Sequence, residues 1–576
     1  MENEVPTAEQ LVPDIEKRKK SLKNFLTGWI KDDYDRYLAG VLIVAFIIRM
    51  LVYMQTKHQA IWWDAADYLA SAKRWGLGLN TIDVWYYRRG FLWPLIESSF
   101  FRIGLGELSI RFLVILLSVG IVFVTYQLIS MMFNKKLGLL TSIGVTFSWV
   151  FLFFSGRPLT NLPATFFFLT AVFFFWKGYM ENRGKKYFIL FGLFYACACL
   201  IRMQYLMFSF AFLAMAIIKE KWKFILNKWL WISILIFAII FIPQMAMHNS
   251  YFGNPITDLA AYYLGIEGIS ETGEIGGVEE SGFSNLHVYF TNLPYILDGN
   301  QAGYSSLFVI SPMYILFILG FFLFFIDLFL GFDKIFKNYE MQKRFFILFF
   351  IVFSLVFLGY IAPHLEQRYA MPTIPFLFFI AIYPFILLGS FLKNKFKLKQ
   401  RTIIIISIII LIIALIPNYN FGFDLINSKK ASYQEVKLAG EWVKANSNPE
   451  DIVISHSHPQ ITYYSERSNY PSGLNYRRDI PVGTRDEFIE FVIKERPKYL
   501  IISVFERHTD WIYPFPNEFP ELLTPAKLYG SQEQPVLVIY RFDYNEIALA
   551  KLRASIKTPA KTITPPEIIL QNNTNS

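Results

Sequence analysis

Long apolar segments joined by mostly short polar loops constrain the fold of this chain more than any other feature. A helix of about 20 apolar residues is long enough to cross a bilayer. About eleven candidates lie at 37–53, 109–131, 137–154, 163–176, 187–200, 204–218, 226–247, 307–329, 345–361, 371–391 and 402–416. Only 17% of the 576 residues are charged, against about 25% in soluble proteins. The sequence therefore predicts a polytopic α-helical membrane protein.

The positive charges of the chain lie in alternate loops. Lys and Arg concentrate at 17–20, 134–136, 177–186, 219–223, 334–344 and 393–401. The longest intervening loop, 249–306, has no Lys or Arg and seven acidic residues. Because basic loops stay on the cytoplasmic side, we expect a cytoplasmic N-terminus and, after an odd number of spans, a C-terminal region outside the plasma membrane. The net charge of +10 follows the loops and does not indicate a nucleic-acid partner.

The composition changes after residue 416, which predicts a separate C-terminal domain. Strand-like runs at 451–455, 499–503 and 535–540 alternate with helical patterns. We expect a basic cytoplasmic segment (1–36), a transmembrane domain (37–420) with outer loops 55–108 and 249–306, an extracytoplasmic α/β domain (421–545) and a flexible tail (546–576).

The Cys and His residues give little support for a metal site. Cys197 and Cys199 are the only cysteines, and two residues apart on a helix they point to different faces and do not bridge. On a strand, His456 and His458 would share a face and suit a metal, but the sequence offers no evident third ligand.

The segment 61–71, just after the first apolar run, contains two carboxylates. In a helix, Asp64, Asp67, Tyr68 and Ser71 share one face, because they stand at positions i, i+3, i+4 and i+7. One interpretation is structural, with Asp64 capping a short helix and Asp67 stabilising its first turn. The other is that a carboxylate at this membrane surface acts as a catalytic base.

Basic side chains are expected at the same outer surface. Each one alone could bind ordinary lipid headgroups. Together with a carboxylate they suit the displacement of a lipid phosphate, because cations neutralise the departing charge. The candidates are Arg157, Arg202, His364 and Arg368.

Several short motifs resemble those of one enzyme family. Residues 63–68 (Trp-Asp-Ala-Ala-Asp-Tyr) resemble a first-loop Asp-Glu-x-x-Tyr segment, and 366–372 (Glu-Gln-Arg-Tyr-Ala-Met-Pro) resemble an Arg-Tyr-x-x-Pro signature. Weaker matches are 89–95, 108–111, 160–163 and Arg202. Together they resemble the GT-C glycosyltransferases that use polyprenyl-phosphate sugars. The most similar branch is that of dolichyl-phosphate-mannose protein mannosyltransferases and lipid A aminoarabinose transferases.

Two residues depart from the family pattern. Ala65 stands where a Glu is usual, which either changes the position of the acceptor or makes Asp67 the substitute for that Glu. Asn161 stands where an Asp is common, and in the similar oligosaccharyltransferases acids there help to hold a divalent metal. A neutral amide is a poorer ligand, so we expect no metal and no other cofactor.

The resemblance implies an inverting transfer of a hexose such as mannose. The donor would be a polyprenyl or dolichyl phosphate sugar, and the acceptor a hydroxyl of a protein, lipid or glycan on the outer face. Asp64 would be the base, with Asp67 as its alternative, and Arg202, Arg368, His364 and Arg157 would bind the donor phosphate. Two other classes stay open: a transporter or flippase of lipid-linked sugars, which predicts ionisable residues deep in the spans, and a scaffold that binds partners.

Overall fold

The computed structural model describes residues 33–79, 89–254, 285–299, 311–361, 365–469, 484–505, 510–531 and 534–556. The chain divides into a helical unit that ends at Ser432 and a second unit that begins at Tyr433.

The described part of the helical unit contains seventeen α-helices, several of them extended by 3₁₀ or π turns. They are α1 (Asp33–Thr56), α2 (Trp63–Leu77), α3 (Leu92–Arg102), α4 (Glu107–Met132), α5 (Lys135–Phe147), α6 (Trp149–Ser155), α7 (Asn161–Phe175), α8 (Lys186–Ile201), α9 (Ser209–Glu220), α10 (Lys228–Phe252), α11 (Val288–Thr291), α12 (Leu293–Asp298), α13 (Pro312–Leu330), α14 (Tyr339–Ile361), α15 (Ile374–Ile382), α16 (Phe385–Phe396) and α17 (Gln400–Ser428).

Nine helical segments among the described residues are long and apolar enough to cross a membrane. A tenth is formed if α5 and α6, which meet at a bend of 53°, count as one span. Helix α8 is apolar but has only 16 residues. The predicted polytopic helical membrane fold is confirmed. Each of the eleven predicted segments overlaps a helix, but the count of eleven spans stays a prediction.

At the bend between α5 and α6, a polar side chain forms a hydrogen bond with the interrupted backbone. At Ser148 the backbone leaves the helical region, with φ −60° and ψ 121°, so the amide of Trp149 loses its helical acceptor. The Asn418 side chain, fully buried in α17, accepts a hydrogen bond from Trp149 N at 2.5 Å and donates one to Leu297 O. Because an unpaired amide is costly in an apolar interior, Asn418 makes this break possible.

Aromatic rings fill the core of the helical unit. The ring of Phe208 lies 4.5 Å from that of Phe168 and 4.8 Å from that of Phe350, measured between centroids. The stack joins α7, the 3₁₀ turn Met203–Phe208 and α14. The side chains that build the site are therefore attached to a packed helical framework.

The second unit is a small α/β fold, which confirms the α/β architecture predicted for the C-terminal region. Its described elements are α18 (Gln434–Ala445), β1 (Ile452–Ser455), α19 (His458–Ser465), β2 (Ser468–Asn469), α20 (Arg485–Glu495), β3 (Tyr499–Ser503), α21 (Phe515–Glu518), β4 (Leu523–Gly530), β5 (Pro535–Phe542) and α22 (Glu546–Ser555). The sheet has the order β2-β1-β3-β5-β4, with β1 parallel to β2 and β3, and β5 antiparallel to β3 and β4.

Two boundaries differ from those expected. Helix α17 continues through Pro417 to Ser428, so the expected start of the second domain at 421 lies inside a helix. Helix α22 occupies the start of the segment predicted to be a flexible tail. Asn545 caps α22 by accepting a hydrogen bond from Ala548 N at 2.8 Å, and Leu552 is buried in the core. The rest of that tail, from residue 557, lies outside the described residues.

Candidate active site

Asp64 lies in the first turn of α2. Trp62 is the N-cap residue of this helix and makes no side-chain capping bond, so the interpretation of Asp64 as a helix cap is wrong. The Asp64 side chain is 24% exposed, and that of Asp67 is 7% exposed. Asp64 is therefore the more accessible of the two carboxylates.

Both oxygens of Asp64 form ion pairs with arginines. Asp64 Oδ2 lies 2.8 Å from Nη1 of Arg368, and Asp64 Oδ1 lies 3.1 Å from Nη2 of Arg89. The second terminal nitrogen of Arg89 reaches Asp67 Oδ2 at 2.9 Å. Arg89 thus bridges two carboxylates one helical turn apart, and Asp64 joins Arg89 to Arg368.

Arg368 lies in the short 3₁₀ helix Gln367–Ala370, and its Nε donates to Glu366 Oε2 at 3.0 Å. Burial by itself lowers the pKa of Arg368, but the neighbouring negative groups, Asp64 first, outweigh burial and leave this pKa raised. The segment is fixed in place because Asn161 Nδ2 donates to Arg368 O at 3.2 Å and the Tyr289 hydroxyl contacts the Glu366 backbone at 3.2 Å. Arg368 is therefore a permanently charged and well-anchored cation.

Arg202 shares an aromatic neighbour, Tyr369, with Arg368. It follows the last residue of α8, where the backbone becomes extended, and its Nη1 donates to Thr160 Oγ1 at 3.3 Å. The Tyr369 ring centroid lies 4.9 Å from Cζ of Arg202 and 5.4 Å from Cζ of Arg368. One aromatic ring thus contacts both guanidinium groups, and cation–π attraction stabilises each contact.

Arg157 has different surroundings. Its guanidinium carbon lies 3.5 Å from the Trp62 ring centroid and 4.0 Å from that of Phe153, and its Nε donates to Phe153 O at 3.3 Å. Neither terminal nitrogen has a hydrogen-bond partner among the described residues. Burial lowers the pKa of Arg157, and the charges of Arg111 and Arg368 lower it further.

The cavity beside Arg157 is small. It has a volume of about 10 Å³ and is lined in part by Trp62, Arg111 and Arg157. A cavity of this volume has room for about one water, so it does not accommodate a phosphate group. The structure places Arg157 near the Asp64 site but encloses its side chain.

Arg49 and Arg111, both buried, serve as ties between helices. Arg49 donates to Ser118 Oγ at 2.7 Å and to two backbone oxygens of α5. Arg111 donates to the backbone oxygens of Thr56, Gly156 and Gln59 and pairs with Glu107 at 2.8 Å. Ionisable side chains inside this unit can therefore have a structural role.

The other predicted candidates are three histidines. Of these, His364 lies outside the described residues. Strand β1 ends at Ser455 and His458 begins α19, so the expectation that His456 and His458 share a strand face is wrong. Burial lowers the pKa of both His456 and His458 to about 4. Within the described ranges, no group of three or more His, Cys, Asp or Glu side chains could hold a metal.

Arg89 was missed as a site residue by sequence reasoning, which noted it only as the start of a weak motif. A signal was present in the next residue. A Cβ atom at Gly90 would lie 1.9 Å from Leu200 O, so this position needs glycine to approach the end of α8. The Gln244 side chain also holds the segment, since it donates to Arg89 O at 3.3 Å and accepts from Phe91 N at 3.2 Å. These contacts bring Arg89 to the same end of α8 as Arg202.

Similar solved structures decide the fold. The crystal structure of ArnT from Cupriavidus metallidurans bound to undecaprenyl phosphate matches with a TM-score of 0.54 at 12% identity, over 89% of this chain and 98% of that one. The archaeal oligosaccharyltransferase AglB from Archaeoglobus fulgidus, in complex with an inhibitory peptide and a dolichol-phosphate, matches with a TM-score of 0.53 at 13% identity, over 82% and 70%. This chain has the GT-C fold.

A sequence match over part of the chain agrees with this fold. Residues 89–246 match the family model of dolichyl-phosphate-mannose-protein mannosyltransferases, which confirms the predicted resemblance to the GT-C, protein-mannosyltransferase-like family. The matched region begins at Arg89 and includes Arg157 and Arg202. A search of curated proteins finds no similar sequence.

Proposed function

We propose that this GT-C protein transfers a sugar, with inversion, from a polyprenyl or dolichyl phosphate carrier to an acceptor hydroxyl. Asp64 is the general base, and Arg368 and Arg202 bind the donor phosphate. The observation that carries the proposal is the 2.8 Å ion pair between Asp64 and Arg368, whose neighbour Tyr369 also contacts Arg202. It links one carboxylate to two guanidinium groups, which is what a base with two phosphate-binding cations requires.

In the proposed reaction, the acceptor O–H gives its proton to a carboxylate oxygen of Asp64. The acceptor oxygen forms a bond to the anomeric carbon as the bond from that carbon to the phosphate oxygen breaks. The electron pair leaves with the polyprenyl phosphate, whose added negative charge is met by Arg202 and Arg368. Preorganised cations at the position of developing charge are an effective source of rate enhancement.

The ion pairs around Asp64 support a partner exchange on donor binding. Both oxygens of Asp64 are paired with arginine in this structure, and a base needs one oxygen for the acceptor hydroxyl. The donor phosphate would draw Arg368 away and release Asp64 Oδ2. Arg89 would stay with Asp67 and keep Asp64 oriented. Binding of the donor would in this way prepare the base.

Arg157 and His364 have supporting roles in the proposal. Two aromatic rings pack against Arg157, and the cavity beside it, of about 10 Å³, has no room for a phosphate group. We therefore propose that Arg157 makes no direct contact with the phosphate and acts through its positive potential behind Arg368. His364, four residues before Arg368, is proposed to assist at the phosphate.

We further propose that the reaction occurs at the outer face of the plasma membrane, on a protein, lipid or glycan acceptor, and needs no metal.

The test compares Asp64→Asn with Asp67→Asn in membranes containing the full chain. Donors are dolichyl phosphate mannose and other polyprenyl phosphate hexoses, and the readout is release of free polyprenyl phosphate. We expect Asp64→Asn to slow release by about 10²–10⁴-fold, the contribution typical of a general base, and Asp67→Asn to slow it less.

The matched control is Asp327→Asn, which removes a carboxylate paired with Arg344 at 3.0 Å far from Asp64 in the chain and should leave release unchanged. Wild-type release by Asp64→Asn at normal protein levels would exclude Asp64 as the base. A greater loss in Asp67→Asn would assign the role to Asp67. A transporter would move the sugar across the bilayer while leaving it on its carrier, and so would release no polyprenyl phosphate.

A further inference from the structure

A lysine-lined cleft lies at the other end of α1 from Asp64. Its volume is about 410 Å³, and Lys135, Lys136 and Lys393 are among its lining residues. Tyr34, near the start of α1, also lines it, whereas Asp64 follows the end of α1. A helix of 24 residues is about 36 Å long, which exceeds the hydrocarbon thickness of about 30 Å. The cleft and Asp64 therefore belong to opposite membrane faces.

The cleft carries an excess of positive charge. Asp35 offsets part of the charge of Lys135, at a distance of 3.5 Å. Lys136 Nζ donates to the backbone oxygen of Phe385 at 3.2 Å and forms no ion pair with any residue that the structure describes. Lys393 has no ion pair within the described ranges. An anion between Lys136 and Lys393 would neutralise charge that the described protein leaves unbalanced.

Two helix N-termini add donors to this site. Helices α5, of 13 residues, and α17, of 29 residues, both begin at the cleft. In α5 the capping side chain of Asn134 accepts from Leu137 N, and α17 has no side-chain cap. The first N–H groups of a helix have no partner within it, and with the helix dipole they attract phosphate groups.

The cleft also has an apolar side, formed by Ile386 of α16 and Ile403 of α17. The same two helices carry exposed apolar side chains on other faces: Leu387 (53%) and Phe391 (51%) on α16, and Ile405 (52%) and Ile409 (51%) on α17. In a membrane-spanning helix such side chains face acyl chains. A ligand that combines a phosphate with acyl chains can therefore place its phosphate among the lysines and its chains against Ile386 and Ile403, and from there along the lipid-facing sides of α16 and α17.

We propose that this cleft binds the headgroup of an anionic phospholipid from the leaflet opposite to Asp64. The phosphate lies between Lys136 and Lys393 at the starts of α5 and α17, and the acyl chains lie along α16 and α17. Basic pockets between transmembrane helices are known to recognise lipid headgroups by this chemistry. The site is separate from the proposed transfer reaction and does not depend on it.

The experiment is lipid titration of the purified full-length protein followed by native mass spectrometry. The probes are dioleoyl phosphatidylglycerol, dioleoyl phosphatidylcholine and inorganic phosphate. We expect phosphatidylglycerol to bind more tightly than phosphatidylcholine. The double variant Lys136→Gln/Lys393→Gln should weaken phosphatidylglycerol by about 30-fold at low salt, since each lysine near an anionic lipid contributes about fivefold.

The matched control is Lys334→Gln/Lys337→Gln, which removes two exposed lysines outside the cleft and should leave affinity unchanged. Gly389→Ala tests the site without changing charge, because a Cβ at Gly389 would lie 2.6 Å from Lys136 Nζ and would displace it. Equal loss in both double variants would overturn the site. Binding of inorganic phosphate as tight as that of phosphatidylglycerol would overturn the lipid source.

Discussion

Arg368, which is partly buried, and Arg157, which is buried, both lie near the Trp62–Asp64 segment, but their surroundings are opposite in kind. Arg368 is neutralised by Asp64 and Glu366, at 2.8 and 3.0 Å. Arg157 faces the rings of Trp62 and Phe153, and its terminal nitrogens have no hydrogen-bond partner among the described residues. A cation paired with carboxylates can exchange them for a phosphate, whereas a cation enclosed by rings acts through its field.

The largest expected effect is that of Arg368→Ala. The change removes the proposed phosphate contact and leaves Asp64 without one of its two cations, so kcat for donor discharge should fall by about 10²–10³-fold, as for loss of one donor to a developing anion. Arg401→Ala, which removes an exposed pair with Asp33, is the control. Steady-state kinetics on membranes that retain normal protein levels would decide, and an unchanged kcat would remove Arg368 from the phosphate site.

A smaller effect is expected for Arg157→Met. The variant deletes a buried charge that has no carboxylate partner in the described part of the chain, so we expect an unchanged or raised melting temperature. Donor KM should rise by less than about tenfold, because only a field at some distance is lost. Thermal unfolding and donor titration measure the two quantities. A loss as great as that of Arg368→Ala would show that Arg157 contacts the phosphate directly and would break the comparison.

A still smaller effect should follow Tyr369→Leu. The Tyr369 ring contacts both Arg202 and Arg368, and each cation–π contact is worth about 0.5–1 kcal/mol at exposed sites. Donor KM should rise by about two- to fivefold, and Tyr369→Phe, which keeps the ring, should stay close to wild type. Equal effects of Leu and Phe would assign the role of this residue to its hydroxyl.

The effect of Gly90→Ala is expected mainly on stability. The new methyl group would lie 1.9 Å from Leu200 O, and overpacking of this kind costs about 1–3 kcal/mol. Gly40→Ala is the matched control, since its Cβ would meet nothing within 4 Å. Melting temperatures of the full-length variants provide the readout. A stable Gly90→Ala would mean that this approach does not fix Arg89.

The helical framework could be predicted from the sequence because spans are specified by local apolar runs. The break at Ser148 could not be predicted, because it depends on Asn418. This residue accepts a hydrogen bond from the Trp149 amide, 269 residues away in the sequence. The pairing of Asp64 with Arg368 could be anticipated only as a shared surface, because 304 residues separate the two. The enclosure of Arg157 could not be predicted for a similar reason. It results from the rings of Trp62 and Phe153, and Trp62 is distant from Arg157 in the sequence.

The Asn418 side chain uses both ends of its amide, one for Trp149 N and one for Leu297 O. Aspartate lacks the donor, leucine lacks both groups, and glutamine is one carbon longer. A carboxamide of this length is therefore needed where the helix is interrupted at Ser148, and it has no such role where the helix is continuous. Among related chains we expect the two traits to be inherited as a pair, so that a chain with a continuous helix at 135–155 is free to carry an apolar residue at position 418.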